Sequence, residues 1–457
     1  MGISMQVLGL IAGLGLLVFV HELGHFLFAR FFGTRVEKFY LFFNIGFSLV
    51  RIKRINGELQ YSFLSSKPPE EWANYPECTE WGIGWLPLGG YCSIAGMVDE
   101  TKSAKDLASV PQPWEFRSKP AWQRFFIITG GVLMNFLTAV VIYIAIMFSW
   151  GKEYIPLENA KYGLMFSNAA QYAGFQNGDK IVTVDGTTSH TISDFVKKLL
   201  LDNPKEVILI RNNELDTLHL KEDNWKKILS GDQFCSFNFP FVIEEVVAGH
   251  PAAQAGLQKG DSLVGIDNLK IFLFSDFKEE FRDAKNKEVM LHFFRDDSLQ
   301  AVSLCVNENG TIGAQVNPNK YLQSVTETYG FFASIPVGIK EGVNQLTLYI
   351  KQFKRLFTKE GASQVGGFIA IGSFYPKEWD WERFWGMTAF LSVIVAFMNI
   401  LPIPALDGGY VFFILIEMIT RRRPGDKFLG YANTVGFIIL IMLLAYVNGM
   451  DVMRLFR

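Results

Sequence analysis

Long apolar runs alternate with stretches of mixed polarity along this chain, and four of the runs are long enough to cross a bilayer. A hydrocarbon core about 30 Å thick takes roughly 20 mostly apolar helical residues. Such runs extend from Gly2 toward Phe32, Phe125 to Trp150, Phe384 to Leu406 and Phe428 to Met450. The second contains no charge, the first is interrupted by His21, Glu22 and His25, and the third stops at Asp407. The first has no Lys or Arg at its start and outlasts the apolar region of a secretion signal, so it reads as an anchor. After it, Val36 to Ser62 has apolar and aromatic runs broken at Asn44-Ile-Gly46 and Asn56-Gly57, which predicts a β-hairpin or meander. Residues 66–118, with several Trp and Pro, read as a loop without an evident role. Tyr321 to Phe357 carries apolar residues at mixed helical spacing and reads as a surface helix leading back to the membrane.

The segment between the second and third runs repeats itself at an offset of 82 residues. Ala173, Gly174, Gln176, Gly178, Asp179, Val182 and Asp185 recur as Ala255, Gly256, Gln258, Gly260, Asp261, Val264 and Asp267. Ser193-Asp-Phe195 recurs as Ser275-Asp-Phe277, and Lys205-Glu-Val207 as Lys287-Glu-Val289. Each copy predicts a Gly-Asp turn, an alternating strand, a helix and a further strand, giving two small α+β modules.

Composition agrees with the pattern: 49% of residues are hydrophobic and 19% charged, against disorder and toward a membrane protein. A net charge of −2 leaves no excess of positive charge for a nucleic-acid backbone, so no nucleic-acid partner is expected. Cys78, Cys92, Cys235 and Cys305 are too sparse for a disulfide framework and read as small buried hydrophobes. Basic residues near span ends mark the cytoplasmic side. Arg30, Arg35 and Lys38 follow the first run, Lys119 and Arg124 precede the second, and Arg421, Arg422, Arg423 and Lys427 separate the third from the fourth. Both termini and the repeated modules are then outside.

The chemistry is concentrated in His21-Glu22-Leu23-Gly24-His25. Two imidazoles at i and i+4 share a helical face and can hold one metal ion, with Glu22 beside them. Ionisable groups in an apolar span cost a few kcal/mol each on insertion scales, so they mark a site. Zinc suits imidazole nitrogen and carboxylate oxygen, and a catalytic site takes three protein ligands and keeps one position open. Asp407 is the third candidate, because the topology brings the ends of spans one and three to one depth. Such an ion acidifies water and polarises a carbonyl, and Glu22 is placed to act as general base, which points to peptide-bond hydrolysis. A metal transporter, or a metal-dependent receptor that binds peptides without cleaving them, is the competing reading. A transporter would need a polar path that spans two and four lack.

His21-Glu-Leu-Gly-His25 with Asn399…Leu406-Asp407-Gly408 resembles the site-2 protease family of intramembrane zinc metalloproteases. The Ala-Gly-x-x-x-Gly-Asp core of the repeats resembles the PDZ domains of bacterial envelope proteases. Four spans with two such modules between spans two and three look like the regulator-of-sigma-E type of that family. The resemblance implies zinc held by His21, His25 and Asp407, Glu22 as base, and a substrate strand held by Asn399. Pro402 and Pro404 disrupt the helix to make room for that strand. Gly130-Gly-Val-Leu-Met-Asn135 resembles a second-span motif with Val132 in place of its usual proline, making Asn135 a further candidate substrate contact. Val365-Gly366-Gly367-Phe368 sits where relatives show Gly-Pro.

The expected fold is a multi-pass α-helical membrane protein with four transmembrane helices, a membrane-associated β-sheet and two tandem α+β PDZ domains. Its expected segments are 1–33 (first span), 34–118 (β region and loop), 119–151 (second span), 155–222 and 236–318 (PDZ domains), 321–380 (return helix), 381–420 (third span) and 428–450 (fourth). Substrates implied by the resemblance are single-pass proteins already trimmed outside, among them an anti-sigma factor and remnant signal peptides, in a bacterial inner membrane. The PDZ pair would bind a peptide or trimmed ectodomain, or serve only as a size filter.

Overall fold

The computed structural model describes residues 2–87, 89–97, 110–201, 204–220, 234–355 and 367–455. Among them the helices are α1 (Gly2–Phe31), α2 (Ala121–Ser149), α3 (Asn168–Tyr172), α4 (Ile192–Leu201), α5 (Pro251–Gln254), α6 (Phe274–Asp283), α7 (Phe331–Arg355), α8 (Phe368–Ser373), α9 (Trp381–Ile400), α10 (Asp407–Thr420) and α11 (Asp426–Leu455). Four described helical stretches are long and apolar enough to cross a membrane: Met5–Phe31, Ala121–Ser149, Trp381–Ile400 and Phe428–Met453. The chain divides into two compact units, one of Met1–Gly151 with Thr328–Arg457 and one of Lys152–Glu327.

In the first unit, small residues decide how the helices pack. A Cβ on Gly24 would fall 2.3 Å from the Gly130 carbonyl oxygen, so the backbones of α1 and α2 touch where they cross. Phe28 stacks on Phe126 one turn further along, which makes the pair antiparallel. Helix α9 runs parallel to α1, with Thr388 beside Gly13 and the buried Tyr375 wedged between them. The Ser392 hydroxyl donates to the Asn135 carbonyl at 2.7 Å and joins α9 to α2.

Helix α7 departs from the expected surface helix. Its buried ridge is Ser334, Gly338 and Gly342, spaced by four, and a Cβ on Gly338 would meet Ile144 at 2.6 Å. Tyr349 and Phe353 then pack on Phe397 of α9. Small residues at i, i+4 and i+8 form a groove for a neighbouring helix, a signal that an average over apolar spacing does not register.

The third span is also shorter than the apolar run predicts. Helix α9 stops at Ile400, residues 401–406 form an irregular turn with Ala405 at φ 73°, and Asp407 opens α10. Pro402 and Pro404 lie in this break, where missing amide donors and ring clashes prevent the helix from continuing. Helix α11 is exposed along most of its length and is secured near its two ends. Asn433 Nδ2 donates to Tyr410 at 2.5 Å, while Asp451 accepts from the amides of Gly367 and Ala370 at 2.9 and 3.0 Å. Val365 and Gly366 of the expected Gly-Pro position lie outside the described residues.

The β region is larger than the sequence pattern indicates. Strands β1 (Val36–Leu41), β2 (Phe43–Ile55), β3 (Glu58–Ser65), β4 (Glu80–Leu86) and β5 (Tyr91–Ile94) form one sheet in the order β3-β2-β4-β1-β5. The Asn56-Gly57 turn joins β2 to β3 as expected, with φ of 54° and 90°. Asn44-Ile-Gly46 is not a turn, because β2 runs through it with a register irregularity. The segment read as a functionless loop instead supplies β4, inserted between β1 and β2, and the edge strand β5. Phe39 and Trp81 face Phe26 of α1, whereas Tyr40, Glu80 and Arg51 form a buried polar cluster on the opposite face.

The second unit contains the duplication. In the first copy, β7 (Leu164–Phe166) pairs with β11 (Cys235–Phe237), and β8 (Lys180–Val184), β9 (Glu206–Arg211) and β10 (Glu214–His219) form a three-stranded sheet. The second copy repeats this with β12 (Ile243–Val246) on β16 (Ala314–Val316), and β13 (Ser262–Ile266), β14 (Glu288–Arg295) and β15 (Ser298–Cys305). Strands β6 (Lys152–Tyr154) and β17 (Val325–Glu327) pair where the chain enters and leaves the unit. Each copy has its own core, around Phe175 and Phe195 in one and Leu263 and Phe277 in the other.

The repeated Gly-Asp has a structural cause. Asp179 accepts from the Gln176 amide at 2.8 Å and is held by Arg211, which also reaches the Gly174 carbonyl at 3.0 Å. Asp261, the Gln258 amide, Arg295 and Gly256 reproduce the arrangement. In each copy the ion pair raises the arginine pKa above its ordinary value. Glu279 on α6 links the copies by accepting from Gln171 and Asn177, both at 2.9 Å. Of the four cysteines only Cys235 is buried, its thiol pushed up to about 12 by burial, while Cys305 is exposed. The expectation of four buried cysteines is corrected accordingly.

Candidate metal centre

Helix α1 presents His21 and His25 one turn apart, their rings edge-on at 87°. His21 Nε2 lies 3.1 Å from Asp407 Oδ2, His25 Nε2 lies 3.3 Å from the same oxygen, and the two nitrogens are 3.2 Å apart. Zinc with tetrahedral bonds of about 2.0–2.1 Å separates its ligand atoms by roughly 3.3 Å, so this near-equilateral triangle fits one face of such a site. Asp407 Oδ2 is buried and finds no hydrogen-bond donor in satisfying geometry among the described residues, as expected of an oxygen aimed at a cation. Among the described residues this is the one group of three or more His, Cys, Asp or Glu side chains close enough to share an ion.

The surrounding elements hold the triangle. His25 Nδ1 lies 2.9 Å from the Ile127 carbonyl oxygen; donating its proton there leaves Nε2 as the free lone pair. His21 Nδ1 lies 3.2 Å from the carboxamide of Asn135, which is fully buried on α2. Gly131 is required between them, because a Cβ there would sit 2.6 Å from His25 Nε2 and 2.8 Å from His21 Nδ1. On the other side, Gly408 and Gly409 pack against the turn before α10, where a Cβ would meet the Leu401 and Ile403 carbonyl oxygens at 2.0 and 2.6 Å. These glycines fix where Asp407 emerges.

Glu22 is outside the triangle, and the Cys92 amide of β5 lies beside its carboxylate. The part of the sheet nearest the glutamate is therefore β5, residues 91–94, which lies outside the predicted hairpin at 36–62. Asn399 is half-buried in the last turn of α9. It lies eleven residues beyond Thr388, as His25 lies twelve beyond Gly13, so the parallel helices carry both to similar depth. Pro402 is in the turn between α9 and Asp407. The structure thus joins His21, His25, Asp407 and Asn135 directly, with Asn399 and Pro402 on the segment leading to Asp407.

Several supporting residues are not evident from sequence. Cys92 is hidden in an apparent loop, and Gly131 carries no chemistry of its own. Arg124, which reads as a topology signal, pairs with Glu417 and ties α2 to α10. The signal for that pair is an acidic residue, Glu417, near the end of the apolar stretch that follows Asp407 in α10.

A two-histidine, one-aspartate donor set with an adjacent unligated glutamate, mounted on apolar helices, defines a membrane metallohydrolase. The model of peptidase family M50 matches residues 9–65 and 70–443, and the chain belongs to this family of zinc-dependent metalloproteases, the site-2 proteases. Similar chains include the regulator of sigma E protease of Haemophilus influenzae, 24% identical over 469 residues, covering 97% of this chain and 98% of the relative. The protease RseP of Yersinia pestis is 25% identical over 488 residues and covers all of both chains. A Vibrio cholerae chain described as a candidate zinc metalloprotease is 26% identical over 478 residues, covering 97% and 98%.

Proposed function

We propose that this metalloprotease is an endopeptidase working inside the bilayer, with His21, His25 and Asp407 as zinc ligands and Glu22 as general base. The observation that carries the reading is the 3.1–3.3 Å triangle of donor atoms with Glu22 beside it and not within it. Bound zinc supplies Lewis acidity and lowers the pKa of water toward about 7. Glu22 takes the proton from the attacking water and returns it to the leaving amine. The Cys92 amide steadies that carboxylate in its reactive orientation.

A transmembrane helix hides its carbonyls in its own hydrogen bonds, so a substrate must be extended before it can be attacked. Adding the extended segment as a strand to the sheet beside Glu22 does this. Asn399 is positioned to hold the opposite side of that strand, and the Pro402–Pro404 break leaves it room. The duplicated modules read as PDZ domains that admit only substrates whose outer part has been trimmed. Basic clusters at the span ends support an inner-membrane orientation with both termini and the modules outside and the metal centre toward the cytoplasm. The names of the Haemophilus and Yersinia relatives support an anti-sigma factor as one substrate, and remnant signal peptides share its single-span chemistry.

The test is cleavage of an outside-trimmed single-span substrate by purified wild type and Glu22→Gln, with zinc quantified in the same samples. Loss of cleavage with zinc retained is expected. Undiminished cleavage by Glu22→Gln would remove Glu22 from the base role.

A further inference from the structure

Two imidazoles face the proposed ion through Nε2, and each must then carry its proton on Nδ1. His25 meets this requirement visibly, since its Nδ1 points at the Ile127 carbonyl oxygen. His21 does not, because the group 3.2 Å from its Nδ1 is the carboxamide nitrogen of Asn135. An NH2 group there would donate to Nδ1 and force the His21 proton onto Nε2. That proton would occupy the space between His25 Nε2 and Asp407 Oδ2, where the ion belongs. Meanwhile the Asn135 Oδ1 atom is buried without a hydrogen-bond partner among the described residues. The two ends of a carboxamide have nearly the same size and shape, so a half-turn about the last side-chain bond exchanges them within the same space.

From this we infer that Asn135 is a positioning residue for zinc binding, its carboxamide oxygen accepting the His21 Nδ1 proton and holding the ring in its metal-binding tautomer. The inference rests on the reading of His21 as a ligand. Asn135 thereby moves from a candidate substrate contact to a support for the metal centre. Its placement suits the role. Ile127 and Asn135 are eight residues apart, about two turns, on the face of α2 turned to α1, so one helix supplies both acceptors. The Ser392 hydroxyl holds the Asn135 backbone through its carbonyl, fixing the point from which the side chain projects. Outer partners of this kind typically contribute 10–100-fold to metal affinity by holding a ligand in one orientation.

The experiment measures zinc affinity by chelator competition on the full-length detergent-solubilised protein, comparing wild type with Asn135→Leu, Asn135→Asp and His21→Ala. Thermal unfolding of the zinc-free forms is recorded in parallel. Leu has the shape of Asn without an acceptor, and Asp presents acceptors alone. Asn135→Leu should weaken zinc binding about 10–100-fold, with the zinc-free unfolding temperature little changed, while Asn135→Asp should bind within a few-fold of wild type or tighter. If Asn135→Leu fails to fold, Asn135→Asp against wild type still decides, because a donating NH2 group would be lost in Asp. Wild-type affinity in Asn135→Leu, or an affinity in Asn135→Asp as weak as in Asn135→Leu, overturns the inference. Unchanged zinc binding by His21→Ala overturns the ligand assignment itself, an outcome separate from any failure at Asn135.

Discussion

At the scale of single residues, the metal centre depends as much on absent side chains as on present ones. Gly131 leaves the space into which His21 and His25 project, and even one methyl group would stand within 2.6–2.8 Å of their ring atoms. Gly131→Ala should therefore displace a ligand and reduce activity by about 100-fold or more, since shifts near 1 Å are costly in a catalytic constellation. Zinc content and turnover of the purified variant check this, and a fully loaded, fully active Gly131→Ala would refute it. The cluster of His21, His25 and Asp407 that the structure brings together is legible in the sequence, because ionisable groups inside an apolar run are too costly to stand there without a partner or an ion. Gly131 is not, because a close approach between two helices is a property of their crossing and leaves no mark in either helix alone.

Among the elements, the β-sheet changes the picture most. Helices α1, α2 and α9 announce themselves by continuous apolar runs, and the β2–β3 hairpin by Asn-Gly. Strands β4 and β5 have no comparable local signal, since β4 contains Gly82 and Gly84 and its partners are long-range. Gly82 is there because the Tyr40 ring lies over it, with a Cβ falling 2.2 Å from Tyr40 Cε1. This arrangement brings the Cys92 amide beside Glu22. Cys92→Pro removes that donor from beside Glu22, because proline has no backbone N–H. Loss of a hydrogen bond to a charged group, about 1.5–3 kcal/mol, should reduce turnover roughly 10–100-fold with zinc content unchanged. Cys92→Ala keeps the amide and serves as the control. Equal turnover in the two variants would dissociate the edge amide from catalysis.

Across the whole molecule, the two units build their stability separately. In Lys152–Glu327 the paired clips of Asp179 with Arg211 and Asp261 with Arg295 close each copy, and both aspartates are almost fully buried. Removing one partner leaves a buried charge uncompensated. Arg211→Ala should accelerate amide exchange in the first copy and Arg295→Ala in the second, each by about 2–4 kcal/mol of local stability. Cleavage of a trimmed substrate should persist in both. Exchange that rises equally in both copies for either variant would show that Glu279 makes them one cooperative body. The duplication is plain at an offset of 82, yet the clip arginines stand 84 residues apart and fall out of an ungapped comparison. A two-residue insertion thus conceals the partner of the most regular feature in the repeat.

The proposed centre is assembled from opposite ends of the chain, with His21 and His25 on α1 and Asp407 on α10. Synthesis proceeds from the N-terminus, so a ribosome that has delivered the first histidine must add nearly four hundred residues before the aspartate follows. Throughout that interval the nascent polypeptide is a membrane-inserted chain with an incomplete blade. Contacts of such sequence separation also form late, after the costs of closing long loops have been met. With Asp407 as the third ligand proposed above, a ribosome-bound or truncated copy lacking its last helices would be inert toward its neighbours in the bilayer, a safety catch built into the order of synthesis.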